Sequence, residues 1–388
     1  MNDLAKNIEK HLQEICLVPS RHVGSPGVKA AANYIEKCFR ELGYTDVKQE
    51  PFPTTNWGYR GMVFADLDNA CCDVPGALPC FFSQSCNVSG VPVWLTDEDL
   101  ANLENIDVKD KLCVVEFFSE GADIKGRNGI AEKLDSLGAA GAVFISDATY
   151  HTTCAASTKI QRSPDLKTLG AAVVAEEGAY YLARNRHHRY KLFIDANTFP
   201  GNSYNVAAIR PGTGSKRIVF GSHHDGAPIG QAACDNASGV ACVIELARLL
   251  KDKYPEWTLE FVSFDAEEYC INPGYPAGSE AYVRDHADRK WEFFVNFDSV
   301  GIAWAEEVLH VGRKELLKEF KTTYPVLPIK MAGDDRNFDK LGIPTFWFNS
   351  HAKFKDFHTP LDTIGTLDME KIAQSVTEAI NILDQLYQ

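Results

Sequence analysis

The chain has 388 residues, of which 45% are hydrophobic and 24% charged, and its formal net charge is -14 at pH 7. That length exceeds the common range for one domain, so two are expected, each able to bury its own core. The acidic balance argues against a nucleic-acid or anionic-membrane partner, because either needs a basic face to displace its counterions.

The first ten residues, Met1 to Lys10, carry charges where a secretion signal needs an apolar core, and no later apolar run is long enough to span a bilayer. A cytoplasmic protein is the expectation. Eleven cysteines lie between Cys16 and Cys270 without a paired CxxC spacing. This fits neither a disulfide framework nor a thiolate zinc site, so most read as reduced, small, buried side chains.

Apolar residues recur at helical spacing from Asn7 to Leu17 and from Val28 to Leu42, the second stretch ending at Gly43, a natural C-cap. Between about Phe52 and Ser203 the texture changes to short β-rich runs such as Val91 to Leu95 and Leu112 to Phe118. Within this stretch Ile130 to Leu137 reads as a helix and Gly138 to Asp147 as a tight turn into a buried strand, a βαβ-like fragment. From Tyr204 onward strands and helices alternate: Arg217 to Phe220, Gly239 to Leu250, Leu259 to Phe264, Phe293 to Phe297, and a closing helix from Met369 to Leu386.

Such alternation predicts an α/β fold with a mixed, mostly parallel central sheet sandwiched by helices. Residues 1–57 and 201–388 are expected to form it, interrupted by a β-rich inserted domain over residues 58–200.

Ligands of open α/β sheets sit beyond the carboxyl ends of the strands, so the polar residues that follow each predicted strand are the candidates for chemistry. They are Gly221-Ser-His-His-Asp225, Asp265-Ala-Glu-Glu268, Asp298 and the Phe357-His-Thr-Pro-Leu-Asp-Thr363 segment, with Ala233-Cys-Asp-Asn-Ala-Ser-Gly239 leading into a helix. Two histidines and several carboxylates at one rim form a nitrogen and oxygen set that zinc accepts, and two zincs can share a bridging carboxylate. Asp235 is placed to bridge, although an Asp shortly before an apolar helical run, taken alone, reads more readily as an N-cap. Two adjacent acids at a buried strand end, Glu267 and Glu268, repel each other and lose solvation unless a cation offsets part of their charge.

With these pieces in order, the chain resembles the M28 family of zinc metallopeptidases, which includes aminopeptidases and glutamate-carboxypeptidase-like enzymes. The resemblance runs through Arg21-His-Val-Gly-Ser-Pro-Gly27, Asn205 to Gly212, His223-x-Asp225, Asp235 to Gly239, Glu267-Glu268, Gly278-Ser279, Asp298 and His358 to Thr363. It implies two Zn2+ ions, with His223 and Asp298 on one, Glu268 and His358 on the other, and Asp235 between them; Co2+ or Mn2+ suit the same donors. It implies Glu267 as general base, taking a proton from a water activated between the ions, and Asp225 as the partner that orients the His223 imidazole. A cis peptide at Asp235-Asn236 is implied as well. The insert resembles a protease-associated domain through Val108 to Val115 and Lys133 to Ile145.

The implied activity is that of an aminopeptidase removing N-terminal residues from peptides, via a hydroxide bridging the metals. A carboxypeptidase or dipeptidase, a single-zinc glutaminyl cyclase, and a non-catalytic peptide-binding homologue are the alternatives on the same fold. Asp335 stands where many relatives carry His, and the Pro328-Ile-Lys-Met331 stretch offers no tyrosine to polarise a substrate carbonyl. Arg336 is the one nearby candidate for holding a substrate carboxylate, which favours the aminopeptidase direction. Asp362, four residues beyond His358, reads as a supporting group or as a plain turn carboxylate.

Overall fold

The computed structural model describes residues 2–18, 20–116, 124–145, 169–268, 276–327, 333–351 and 358–387. These fall into two compact units, one of Met1–Thr54 with Gly201–Gln388 and the other of Thr55–Pro200.

At the centre of the first unit lies strand Arg217–His223, parallel to Thr258–Phe264 on one side and to Phe293–Phe297 on the other. Thr345–His351 continues the parallel set, and Glu306–Val311 joins it antiparallel. On the opposite side, the Arg210 end of strand Tyr190–Arg210 pairs antiparallel with Thr258–Phe264. The result is the mixed, mostly parallel sheet that the alternation predicts.

Every residue of Thr258–Phe264 is buried, as expected of a central strand covered on both faces. On one face, helices Asp3–Cys16, Pro26–Glu41, Ser238–Leu249 and Met369–Leu386 place Ile8, Ile35, Val240 and Val376 in one apolar cluster with Phe220, Phe261 and Phe348 of the sheet. The other face carries a smaller cluster in which Val219, Phe264 and Phe294 meet Tyr282 and Phe338, from helices Ala277–Asp285 and Asp335–Lys340.

Local chemistry sets the helix ends. Helix Pro26–Glu41 opens with Ser25, whose side chain accepts the Val28 N–H, and with Pro26, whose missing donor costs nothing in a first turn. It is followed by Gly43 at φ +88°, a left-handed position that glycine takes without penalty. The first helix begins at Asp3 rather than Asn7, because the Asn2 side chain accepts the Ala5 N–H and caps it there.

The second unit has its own five-stranded sheet, in the order Leu78–Pro79, Ala171–Val174, Gly141–Ile145, Leu112–Val115 and Val93–Leu95. All neighbours are parallel except the first pair. Helix Ile124–Ser136 connects two parallel strands, so the βαβ-like fragment is a βαβ unit, and Leu134, Phe144, Val115 and Val173 share its core. Phe117, Phe118 and Asp147, included in the sequence reading of these strands, lie outside the described residues.

Among the described cysteines Cys16, Cys38, Cys80, Cys113, Cys234 and Cys242 are buried, whereas Cys71 and Cys72 are exposed. Among the described residues no helix is long and apolar enough to cross a membrane.

Candidate metal centre

Four mutually parallel strands end at one rim of the sheet, and each is followed by a residue of the candidate set. His223 ends its own strand, Glu267 and Glu268 follow Thr258–Phe264, Asp298 follows Phe293–Phe297, and His358 comes after Thr345–His351. Asp235 arrives from the turn that leads into helix Ser238–Leu249.

These residues meet as two triads. Donor atoms of His223, Asp235 and Asp298 lie within 4.8 Å of one another, as do those of Asp235, Glu268 and His358, so Asp235 is common to both. His223 Nε2 is 3.2 Å from Asp235 Oδ1 and 3.6 Å from Asp298 Oδ1. His358 Nε2 is 2.9 Å from both Asp235 Oδ2 and Glu268 Oε1. The two oxygens of Asp235 therefore face the two histidines separately.

Several of these contacts are not hydrogen bonds. His223 Nε2 and Glu268 Oε1 are buried without a hydrogen bond of proper geometry. Buried polar atoms are rarely left so, and donors converging on a cation are one of the exceptions. Two imidazole nitrogens and three carboxylates suit a divalent ion such as zinc.

Protonation follows the same logic. Burial works to depress the His223 imidazole, but Asp225, Asp235 and Asp298 more than reverse this and hold its pKa well above the ordinary value. His358 is likewise raised, by Glu268 and Asp235 against burial. Burial raises Glu268, helped by Asp235 and opposed by His358, whereas Asp235, between two histidines, is pulled down despite its burial. Histidines held protonated by carboxylates mark places where a metal ion can take over the positive charge.

Glu267 belongs to neither triad and stays close, its Oε2 3.9 Å from His223 Nε2. Burial raises its carboxyl well above the usual range, with Asp334, Asp298 and Glu268 adding to the effect and His223 opposing it. A carboxylate shifted in that direction is a better proton acceptor at neutral pH.

Asp225 does more than face the imidazole. Its Oδ1 stands 3.3 Å from His223 Nδ1, and its two oxygens accept the backbone N–H groups of Glu267 and Glu268 at 3.0 Å each. The first contact favours the tautomer with the proton on Nδ1, leaving Nε2 as the free donor. The other two fix the loop that carries the neighbouring acids.

Asp235 caps no helix. Asn236 does so instead, its Oδ1 accepting the Gly239 N–H at 2.9 Å, and the Asp235-Asn236 peptide is cis.

Each loop that delivers a candidate ligand also contains a non-glycine residue in left-handed backbone: Ala232 at φ +47°, Ala266 at +57°, Ser299 at +61° and His358 at +62°. Such residues cost free energy and concentrate where a site demands a particular side-chain direction.

The sequence left several participants unassigned. Asp334 and Asp335 are fully buried, and burial, helped by neighbouring acids such as Asp298, pushes their carboxyls up to about 8 and about 7. Arg21, 2% exposed, donates to the carbonyls of His224, Gln231 and Ala232. Gly333 borders the acids, since a Cβ there would lie 3.2 Å from Asp298 Oδ2 and 3.3 Å from Glu267 Oε1. His224 turns inward against Ser263 Oγ at 3.0 Å, and burial lowers its pKa to about 3, which makes it a neutral core histidine. Arg336 is exposed, and Lys330 lies outside the described residues.

The fold is that of a zinc-exopeptidase-type α/β protein. Residues 205–382 match peptidase family M28. It is similar to aminopeptidase YwaD of Bacillus subtilis, 26% identical over 239 residues that make up 53% of this chain and 50% of that protein. It is also similar to an aminopeptidase of Pseudomonas aeruginosa, 25% identical over 333 residues, 76% of this chain and 58% of that protein. The chain thus spans little more than half the length of these curated relatives. Among solved structures, the zinc aminopeptidase BSAP from Bacillus subtilis aligns with a TM-score of 0.77 at 19% identity, over 98% of this chain and 95% of that one. At that identity the likeness establishes a common fold.

Proposed function

We propose that the protein is a two-zinc aminopeptidase, with His223, Asp298 and Asp235 holding one ion, Asp235, Glu268 and His358 the other, and Glu267 acting as general base. The reading rests on two complete donor triads sharing one carboxylate, with a fourth acid outside both and within 4 Å of the first histidine. Zinc is the metal named for the structural neighbour BSAP, and the nitrogen and oxygen donors suit it.

When bound, the metal would supply Lewis acidity, lowering the proton affinity of water and polarising a peptide carbonyl. The chain's own residues do the rest. Glu267 Oε2 takes the proton of the attacking water and returns it to the departing amine, while Asp225 keeps His223 and the Glu267–Glu268 loop in place.

The direction of attack follows from charge. The acids Asp334, Asp335 and Glu267 gather beside the triads, and the arginine considered for a substrate carboxylate is exposed. A cluster of carboxylates favours a substrate ammonium, hence a free N-terminus. A single-zinc cyclase would use only one of the two triads. The Thr55–Pro200 unit we read as a protease-associated-like domain, on the βαβ unit that contains the motif residues.

The decisive experiment is hydrolysis of a panel of free and N-blocked peptides, with and without a chelator, beside elemental analysis of the protein. Cleavage restricted to free N-termini, lost on chelation, with close to two ions per chain, is expected. Cleavage of blocked peptides from the C-terminus, or full activity without metal, would sink the reading.

A further inference from the structure

Asp362 is 1% exposed, and its carboxylate does not serve its own turn. Its Oδ1 accepts the Cys234 N–H at 2.7 Å and its Oδ2 the Asp235 N–H at 3.1 Å. Both oxygens are thus spent on consecutive amides of another loop, the second belonging to the residue common to the two triads.

The two loops are tied at further points. Gln231 Oε1 accepts the Ile364 N–H at 3.0 Å. At Gly230, φ +78°, a Cβ would stand 2.7 Å from the Thr359 carbonyl oxygen, so the backbones touch where any side chain would separate them. From the other side, Arg21 donates at 2.8 Å to the carbonyls of Gln231 and Ala232. The segment running into Asp235 is therefore held between Arg21 and the segment that begins at His358.

This grip carries an electrostatic cost. A buried carboxylate hydrogen-bonded to the backbone of a candidate ligand acid raises the negative charge of the site, and a neutral side chain would cap a turn more cheaply. An asparagine cannot replace it, because one of its two head-group atoms is a donor and would face an N–H. Bidentate acceptance is the feature that only an acid of this length provides. The same device recurs at Asp225, which holds the amides of Glu267 and Glu268.

From this arrangement we infer that Asp362 is a positioning residue for the metal centre. It couples the His358 loop to the Asp235 loop, so that two of the three members of the second triad are set as one unit and the bridging carboxylate keeps one oxygen for each triad. The inference rests on the two-metal reading above.

The test compares the parent protein with Asp362→Asn and Asp362→Glu. Zinc affinity is read by competition with a chromogenic chelator, stoichiometry by elemental analysis, and melting midpoints with and without zinc. For Asp362→Asn a roughly ten- to hundredfold loss of affinity for the more weakly held ion is expected. Its metal-free midpoint should fall modestly, for the buried N–H left without an acceptor, and its zinc-loaded midpoint should fall further, so that the loss of affinity appears as a smaller stabilisation by zinc. Asp362→Glu, which keeps both acceptors, should recover part of the affinity, and excess zinc should restore turnover in both.

Parental zinc affinity in Asp362→Asn would overturn the inference. So would a metal-free midpoint lowered as much as the loaded one, or failure of both variants to fold, since each result marks a purely structural residue. A parent that binds no zinc would instead remove the metal reading itself, which keeps the two failures apart.

Discussion

Asp225 Oδ1 accepts the backbone N–H of Glu267 at 3.0 Å, so the acid that faces the His223 imidazole also anchors the proposed general base. Replacement of Asp225 by Asn would turn one of its two amide acceptors into a donor facing an N–H. Zinc affinity is expected to fall roughly ten- to hundredfold, and the metal-free protein to lose about 1–3 kcal/mol for the buried N–H left without a partner. Chelator competition and denaturant melts measure the two separately. Unchanged affinity would mean that the imidazole needs no such support.

Glu267→Gln should retain both ions and lose turnover by roughly two to four orders of magnitude, since that side chain is assigned proton transfer and holds no ion. Stability should not suffer. Burial already disfavours the charged form of Glu267, and the neutral amide removes that cost. Loss of bound metal in this variant would transfer Glu267 from base to ligand.

Gly333→Ala tests how closely the acids are packed. The added methyl would lie 3.2 Å from Asp298 Oδ2, 3.3 Å from Glu267 Oε1 and 3.4 Å from Asp335 Oδ1, so one of these must give way. A ten- to hundredfold fall in kcat with a small change in melting midpoint is expected, on the order of what small misplacements cost. A fall in stability alone would place Gly333 outside the working site.

The metal-free protein should lose stability as pH rises from about 6.5 to about 8.5. Asp334 is raised to about 8 and Asp335 and Asp362 to about 7, all mainly by burial, and His223 and His358 are raised as well. Groups whose folded pKa exceeds the unfolded value hold extra protons when folded, so their stabilisation is complete below the unfolded pKa and is lost as pH passes the folded one. His224, lowered to about 3, has the opposite sign, but its contribution ends by the ordinary histidine pKa. Zinc should therefore raise the melting midpoint more at pH 8 than at pH 6.5, releasing protons as it binds. A metal-free midpoint that climbs over this range would contradict the charge assignment.

Much of the sheet and rim is legible in the sequence because both follow from periodicity. Arg217 to Phe220, Leu259 to Phe264 and Phe293 to Phe297 read as strands, and in a parallel sheet whatever polar residue follows each must appear at one edge. What the pattern cannot supply is a partner far away in the chain. Asp362 and Cys234 are 128 residues apart, and Arg21 and His224 are 203, so neither bond leaves a local signature. The Asp235-Asn236 pair is ambiguous for another reason. Both residue types cap helices well, and only three-dimensional placement shows Asn236 doing so while Asp235 faces the histidines. Asp334 and Asp335 resemble surface acids in sequence because burial is conferred by helices and strands from elsewhere.

The two-part construction of the first unit bears on how the chain comes together. Thr54 and Ser203 lie within hydrogen-bonding distance, 3.4 Å between their hydroxyls, although residues 55–202 separate them. Were that stretch an unstructured tether, closing it would cost on the order of 4 kcal/mol of chain entropy before any strand could pair. Prior folding of the Thr55–Pro200 unit around its own sheet would remove most of this cost. The order of events during synthesis would then be inner module first, outer sheet second, and the rim with the candidate ligands last, since it draws on segments as far along as His358.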